Sequence, residues 1–239
     1  MAAFFDIAAG RTGIFRAKSN LVPSVPPATP YAWYAADLDV TYDGSNNVTA
    51  WADQSGNNRT LYVPEDQNSP IFYESIINGM PSIKFESGMA LYLDGDTTTI
   101  KSILSVVKTA ESLSTYQCIV EAGGGGLYTV LSGGGEDPAL FGSYWSGFVT
   151  YADVDVETSY ILGVRTNDGE DTYGYRNDSS YNVSGNGFQG RGQISVGNDS
   201  SYGQAMMGYL SELILFDVAL TEAQIQSYIT TLNTKYGIY

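Results

Sequence analysis

The chain has 239 residues, 43% of them hydrophobic, which is enough for one large β domain with a full core. Only 11 Lys and Arg stand against 26 Asp and Glu, and the net charge of −15 argues against binding nucleic acid or an anionic membrane, because both need a basic face. The chain has no histidine, which excludes Ser-His-Asp and Cys-His catalysis and His-ligated zinc.

Residues 1–30 differ from the rest of the chain in charge and in pattern. Apolar and cationic residues are interleaved there without helical or strand periodicity, and prolines cluster between residues 23 and 30. Such prolines favour an extended, semi-rigid spacer. We predict an N-terminal arm and Pro-rich linker, with a disordered tail as the alternative. The residues expected to dock it onto another protein are Phe4, Phe5, Ile7, Arg11, Ile14, Phe15 and Arg16.

Residues 31–239 contain short apolar runs separated by turn residues, which predicts the strands of one β-sandwich. Four carboxylates fall among the first turns: Asp37, Asp39, Asp43 and Asp53. Calcium prefers such oxygen ligands, but turns in which an Asp side chain bonds the backbone explain these residues without a metal. We therefore predict no cofactor, with calcium as the alternative.

The most continuous apolar runs, 102–108 and 117–122, predict strands in the middle of a sheet. The second run contains the only cysteine, Cys118, which predicts a buried thiol. Residues 158–165 and 172–176 flank a turn at 166–169 and predict a hairpin. The Asn-, Ser- and Gly-rich stretch 177–192 predicts a long exposed loop.

Aromatic residues alternate with small ones between residues 141 and 148. Because Tyr and Trp faces can stack on sugar rings, this region is the best candidate for glycan contact, with structural aromatics at the rim of the sandwich as the alternative. The predicted contact residues are Tyr144, Trp145, Tyr151 and Tyr202.

Asp153, Asp155 and Glu157 alternate, and on a strand they would share one face. The stretch resembles the Glu-x-Asp-x-(x)-Glu signature of laminarinase-type jelly-roll glycoside hydrolases, whose two catalytic carboxyls lie about 5 Å apart. Asp153 stands where that family has its nucleophilic Glu, and the shorter side chain would withdraw the carboxylate from the sugar. The next strand is also predicted to start only at residue 158. We therefore predict a solvated acidic loop and no enzymatic activity.

Residues 208–239 predict a strand followed by one amphipathic helix. Thr221 and Gln224 have the spacing of a capping box, and Leu220 and Ile225 that of a hydrophobic staple. Gly237 is placed where a helix is best ended. The apolar stripe of the helix must be buried on a sheet. Its members are Ile225, Tyr228, Ile229, Leu232 and Tyr236.

This ending resembles the closing strand and helix of concanavalin A-like, or laminin-G-like, jelly-roll domains. The residues that carry the resemblance are Gly208, Glu212, Ile214, Leu215, Phe216, Asp217, Ala219, Leu220 and Thr221, with further similarity at 33–37, 51–57, 78–85 and 194–198. The resemblance covers residues 31–239. It implies an all-β, two-sheet antiparallel jelly-roll sandwich with one short C-terminal helix and an extended N-terminal arm. It implies little about activity, because sites vary on one fold.

Such domains are found in bacteriophage virion surface proteins, and the arm agrees with that class. Asp6 interrupts the apolar N-terminal residues, which is unlike a secretory signal. We therefore expect the protein to be released from the cell by lysis, as virion proteins are. The sequence favours a non-catalytic capsid decoration or fibre-type protein on the virion surface. Its expected partner is a capsid or other virion structural protein. Binding of a cell-surface glycan and assembly as a homo-oligomer are left open.

Two alternatives remain for the function. One is an extracellular carbohydrate-binding adhesin, which would use the aromatic residues. The other is a jelly-roll glycoside hydrolase that would use Asp155 and Glu157.

Overall fold

The computed structural model describes residues 28–93, 99–113, 116–122, 127–132, 139–144, 148–167, 171–184, 190–191, 193–198 and 204–239. These ranges contain nineteen strands and one helix. The elements are β1 (Ala32–Ala35), β2 (Val40–Tyr42), β3 (Val48–Trp51), β4 (Leu61–Tyr62), β5 (Ile71–Ile77), β6 (Met80–Phe85), β7 (Leu91–Leu93), β8 (Thr99–Ile100), β9 (Ser102–Thr109), β10 (Tyr116–Ala122), β11 (Leu127–Ser132), β12 (Ala139–Tyr144), β13 (Phe148–Val154), β14 (Ser159–Asn167), β15 (Asp171–Arg176), β16 (Ser179–Ser184), β17 (Gly190–Arg191), β18 (Ile194–Val196), β19 (Gly208–Phe216) and α1 (Glu222–Tyr236).

The strands form two large antiparallel sheets. The eight-stranded sheet has the order β16-β15-β14-β9-β19-β6-β5, with β1 also paired to β19. Strand β6 pairs with the start of β19 and β1 with its later part, so both lie along the same edge of that strand. The nine-stranded sheet has the order β13-β12-β11-β10-β18-β7-β4-β3-β2, and β8 and β17 form a separate pair.

The main core lies between the two sheets. Leu91 and Val196 reach it from the nine-stranded sheet, and Val107 and Leu213 reach it from the eight-stranded sheet. Trp51, the largest fully buried side chain of the described residues, belongs to the same cluster. Burial of apolar surface from both layers therefore holds the sandwich together.

A second apolar cluster lies on the outer face of the eight-stranded sheet, beneath α1. Strand β9 is consequently buried on both faces, which explains its continuous apolar sequence. Thr221 accepts a hydrogen bond from the backbone of Gln224, whose side chain accepts one from the backbone of Thr221, and Gly237 ends the helix at φ 61°. The capped C-terminal helix is confirmed. Its buried residues are Ile225, Tyr228, Ile229, Leu232 and Tyr236.

The predicted all-β antiparallel sandwich is confirmed. Cys118 is fully buried in β10, and β14 and β15 form the predicted hairpin. The long exposed loop predicted at 177–192 is wrong for residues 179–184, because β16 pairs with β15 along its whole length, and residues 185–189 and 192 lie outside the described residues. An edge strand needs few apolar residues, and in β16 Tyr181 and Val183 pack against the main core.

Residues 1–27 lie outside the described residues, and so do the seven predicted docking residues from Phe4 to Arg16. The described chain begins against its own body, where Ala28 packs beside α1 and its carbonyl accepts a hydrogen bond from the hydroxyl of Tyr228 at 2.9 Å. Tyr31 then donates its backbone N–H to the carbonyl of Leu215 at 2.8 Å. The final residues of the Pro-rich linker are thus fixed on the helix side of the sandwich. Among the described residues, no helix has the length and apolar character needed to cross a membrane.

Candidate functional site

Cross-strand pairing places a row of side chains on the outer face of the nine-stranded sheet. Residues directly opposite each other in antiparallel strands share a face. Leu61 and Leu91, which precede two members of the row, point into the main core, so the row itself faces away from it. From β3 through β4, β7 and β18 to β10, the row consists of Ala50, Tyr62, Tyr92, Ser195 and Glu121.

Exposure falls along this row from Tyr62 to the buried Ser195 and Glu121. Tyr62 is 59% exposed, which is the highest value among the large hydrophobic side chains of the described residues. Tyr92 is half-buried, whereas Ser195 and Glu121 are buried. Tyr62 and Tyr92 sit directly opposite each other, with Cβ atoms about 5 Å apart. We refer to these two residues as the tyrosine shelf.

Polar groups of two loops adjoin the shelf. The hydroxyl of Ser195 donates to the backbone carbonyl of Asn198 at 2.6 Å, and the side-chain amide of Asn198 lies 3.5 Å from Gln67 Oε1. Asn198 Oδ1 is buried and has no hydrogen-bond partner. A buried acceptor without a donor carries a free-energy cost of about 1–3 kcal/mol.

The electrostatics of the two sheets differ. None of the nine strands in the shelf's sheet, all of them within the described ranges, contains Lys or Arg. The eight-stranded sheet contains Lys84, Lys108, Arg165 and Arg176. The loop that follows Tyr62 instead presents two exposed carboxyls, at positions 65 and 66. The surroundings of the shelf are therefore acidic.

One residue predicted to contact glycan is in the core. Tyr151 is 6% exposed, its ring packs on Phe141 at 5.6 Å, and its hydroxyl lies 2.6 Å from Ser143 Oγ. Burial raises the pKa of Tyr151. The ring fits there because Gly174, on the opposite sheet, has no side chain. Tyr151 is thus unavailable for stacking on a sugar, and its prediction as a contact residue is corrected.

The other three predicted contacts are only partly placed. Tyr144 is the last residue of β12, and backbone pairing from Glu121 through Tyr128 to Tyr144 continues the row that contains the shelf. The side chain of Tyr144 lies outside the described residues, as do Trp145 and Tyr202 entirely.

The acidic stretch forms the end of β13 and a turn. Asp153 belongs to the strand, whereas Asp155 and Glu157 lie in the turn before β14, and all three side chains are exposed. The predicted exposed loop is therefore confirmed for Asp155 and Glu157, whereas Asp153 lies at the end of a strand, so the three acids do not share one strand face. The backbone N–H of Asp155 donates to the hydroxyl of Tyr160 at 2.9 Å, and that of Glu157 to a carbonyl of the loop after β9 at 3.0 Å. These bonds fix the path of the turn.

The four carboxylates considered for calcium have separate partners. Asp43 accepts hydrogen bonds from the side-chain amide and backbone N–H of Asn47 and from a second backbone N–H, and these bonds lower the pKa of Asp43. Asp53 accepts three backbone N–H bonds. Asp37 pairs with Lys235, and Asp39 accepts from a Gln side chain. In the described part of the chain, no group of three or more potential metal-ligating side chains is found.

The sequence interpretation missed the shelf. The only local signal was the alternation of Leu61 with Tyr62 and of Tyr92 with its two flanking leucines, which predicts short strands with an outward tyrosine. That Tyr62 and Tyr92 meet depends on pairing between strands 30 residues apart, which neither segment encodes alone.

Similarity to known proteins is structural. No protein-family model matches the sequence, and no curated protein matches it. The fold is similar to that of Trypanosoma rangeli sialidase in complex with the inhibitor DANA, with a TM-score of 0.60 and 11% identity over 86% of this chain and 33% of that chain. The chain thus spans about a third of the sialidase.

A second similar structure is domain 4 of AbnA, a GH43 extracellular arabinanase from Geobacillus stearothermophilus, in complex with arabinotriose. Its TM-score is 0.59, with 14% identity over 84% of this chain and 98% of that domain. At these identities the likeness shows the fold, a β-sandwich that also occurs in carbohydrate-active proteins.

Proposed function

We propose that this protein is a non-catalytic carbohydrate-binding β-sandwich that holds glycan on the tyrosine shelf. The observation that carries the proposal is the pairing of exposed Tyr62 with Tyr92 on the outer face of the nine-stranded sheet. Tyrosine rings combine an apolar face with a polar hydroxyl, as sugars combine C–H faces with hydroxyls. Ligand sites typically add a few polar groups to such a surface. Gln67 and Asn198 supply them here.

The arabinanase domain supports sugar as the ligand class. It has a similar fold, nearly all of it is covered by this chain, and it is in complex with the oligosaccharide arabinotriose. This sandwich fold can therefore present an oligosaccharide-binding surface without a larger enzyme around it.

Three features of the acidic turn support a role without catalysis. Asp155 and Glu157 lie in a turn, their side chains are exposed, and the third acid, Asp153, is the short residue at the position of the nucleophile. Incubation of the protein with polysaccharides tests the proposed lack of catalysis. We expect no reducing ends to be released, and release that is lost in Glu157→Gln would contradict it.

We further propose that the protein is displayed on a bacteriophage virion surface and that residues 1–30 attach it to a capsid or other structural protein. The position of Ala28 supports this arrangement, because it lies beside α1 on the outer face of the eight-stranded sheet. The shelf lies on the opposite outer face of the sandwich. An anchor attached at the helix side would therefore leave the shelf facing away from the particle.

A glycan array with matched variants tests the binding site. Tyr62→Ala and Tyr92→Ala should each weaken binding about fivefold or more, if a stacked sugar contributes about 1–3 kcal/mol, as a base stacked on an aromatic side chain does. Tyr73→Ala is the control, because Tyr73 is 37% exposed but lies in β5 of the other sheet. Circular dichroism and thermal unfolding establish that each variant is folded. Equal losses in Tyr62→Ala and Tyr73→Ala would contradict the site.

Deleting residues 1–27 tests the anchor while keeping the contact between Ala28 and α1. We expect a folded protein that binds glycan but is no longer incorporated into particles. Undiminished incorporation would contradict attachment by the arm and favour the extracellular adhesin.

A further inference from the structure

We infer that the tyrosine shelf selects neutral glycans and rejects sugars that carry a carboxylate, such as sialic and uronic acids. The inference rests on the proposed function and adds the class of ligand. It depends on the charges around Tyr62 and Tyr92 and on the kind of hydrogen-bonding groups beside them.

Recognition of a sugar carboxylate calls for a cation. Arg binds carboxylates in a bidentate manner and Lys binds them as a point charge. The nine strands of the shelf's sheet, all described, contain neither residue. Arg59, in the loop before β4, stacks its guanidinium over the ring of Tyr31 at 3.7 Å and donates to the Tyr31 carbonyl at 2.9 Å. The guanidinium of Arg59 therefore contacts Tyr31 of the same chain.

The loop that leaves the shelf carries charges of the opposite sign. Glu65 and Asp66 are exposed and lie three and four residues after Tyr62. The whole chain carries a net charge of −15. A carboxylate brought to the shelf would meet like charges, which disfavours the wrong partner.

The same groups suit uncharged hydroxyls. Carboxylate oxygens accept hydrogen bonds from sugar hydroxyls, and Gln67 offers an amide that can both donate and accept. A sugar hydroxyl can donate to these amide and carboxylate oxygens, whereas an ionised sugar carboxylate cannot, because it only accepts. The shelf therefore fits a ligand rich in hydroxyl donors and free of negative charge.

Matched pairs of glycans test the inference on the full chain. Each pair consists of a neutral oligosaccharide and the same oligosaccharide extended with sialic acid or oxidised to the uronic acid. We expect the neutral member to bind at least about tenfold tighter, and added NaCl to narrow the difference, because salt screens repulsion between exposed charges. The double variant Glu65→Gln/Asp66→Asn should also narrow the difference in affinity between the two members of a pair. Glu74→Gln is the control and should leave that difference unchanged, because Glu74 is exposed but lies in β5 of the other sheet.

The outcomes separate this inference from the proposed function. If acidic members bind as tightly as neutral ones and Tyr62→Ala abolishes that binding, the selectivity is overturned and the proposed site stands. If no glycan in any pair binds, or binding is indifferent to Tyr62→Ala, the proposed site is overturned. If the ratio of affinities for neutral and acidic glycans were unchanged in the double variant, the assignment of the selectivity to Glu65 and Asp66 would be overturned.

Discussion

Lys235 Nζ lies 2.7 Å from Glu212 Oε2, and this ion pair ties α1 to β19. Glu212 is only 3% exposed, and its carboxylate also accepts hydrogen bonds from Trp33 Nε1 and from the hydroxyl of Tyr236, both at 2.8 Å. Asp37 lies 2.7 Å from the same ammonium group. The first strand, the last strand and the helix therefore meet at one shielded charge cluster.

We expect Lys235→Met to destabilise the fold by about 3 kcal/mol or more. The substitution leaves the carboxylate of Glu212 buried without its cation, which is the costly way to break a buried pair. The double variant Lys235→Met/Glu212→Gln should be less destabilised than the sum of the single variants, because it removes both charges. Denaturant unfolding measures both effects.

The control for this prediction is the exposed pair of Lys84 and Glu86. Their charged atoms lie 2.6 Å apart, but the side chains are 28% and 43% exposed. Lys84→Met should therefore cost less than about 1 kcal/mol. Equal costs for Lys84→Met and Lys235→Met would contradict a special role of the buried cluster.

Stability should fall in alkaline solution. Burial raises the pKa of Tyr228 to about 12 and also raises the pKa values of Tyr34, Tyr175 and Tyr236. Burial by itself would lower the pKa of Lys235, but the carboxylates of Glu212 and Asp37 outweigh it and leave that pKa raised. All these groups hold their protons more tightly in the folded chain than in the unfolded one.

The sign of the pH dependence follows from those shifts. When the folded pKa exceeds the unfolded pKa, the stabilising contribution is complete below the unfolded value, about 10, and is lost as pH rises through the folded value. We expect similar denaturation midpoints at about pH 7 and pH 9 and a lower midpoint at about pH 10.5. Ultraviolet titration should show that fewer than the 19 tyrosines ionise before unfolding. Ionisation of all of them in the folded protein would contradict the prediction.

The helix cap should contribute measurably to stability. Thr221→Ala removes the side-chain acceptor for the backbone N–H of Gln224, at 3.3 Å, and half of the capping box. The expected cost is about 1 kcal/mol, or about 2–4 °C in melting temperature. Thr230→Ala is a matched control, since Thr230 is an exposed residue inside the helix, where Ala has the higher propensity. If the control lost as much stability as Thr221→Ala, the cap would not be the cause.

The sequence could predict what short-range interactions determine. The C-terminal helix has its cap, its apolar stripe and its final glycine within seventeen residues, and each is found where the pattern placed it. Cys118 was predicted to be buried for a similar reason, because it lies in an apolar run. Strand β16 was missed because its hydrogen bonds come from β15 and its sequence is that of a polar edge.

The candidate site depends on pairing between distant segments. Tyr62 and Tyr92 lie in different short strands, and neither strand indicates its neighbour. Tyr151 was predicted to contact glycan, which would require its ring to be exposed. Its burial is decided by Gly174, a residue in the other sheet. Such cross-layer packing is a property of the assembled sandwich, which no local pattern carries.

The contact between Gly174 and Tyr151 gives the last prediction. A Cβ added at Gly174 would lie 2.1 Å from Cγ of the Tyr151 ring, so Gly174→Ala must displace a ring that spans the two sheets. We expect a cost of about 1–3 kcal/mol or more from overpacking. Gly44→Ala is the control, because nothing lies within 4 Å of its added Cβ. In the double variant Gly174→Ala/Tyr151→Ala the ring is absent, so the added methyl should cost little beyond the loss of the ring itself. Additive costs measured by denaturant unfolding would mean that Gly174 is needed for its backbone rather than for the space it leaves to Tyr151.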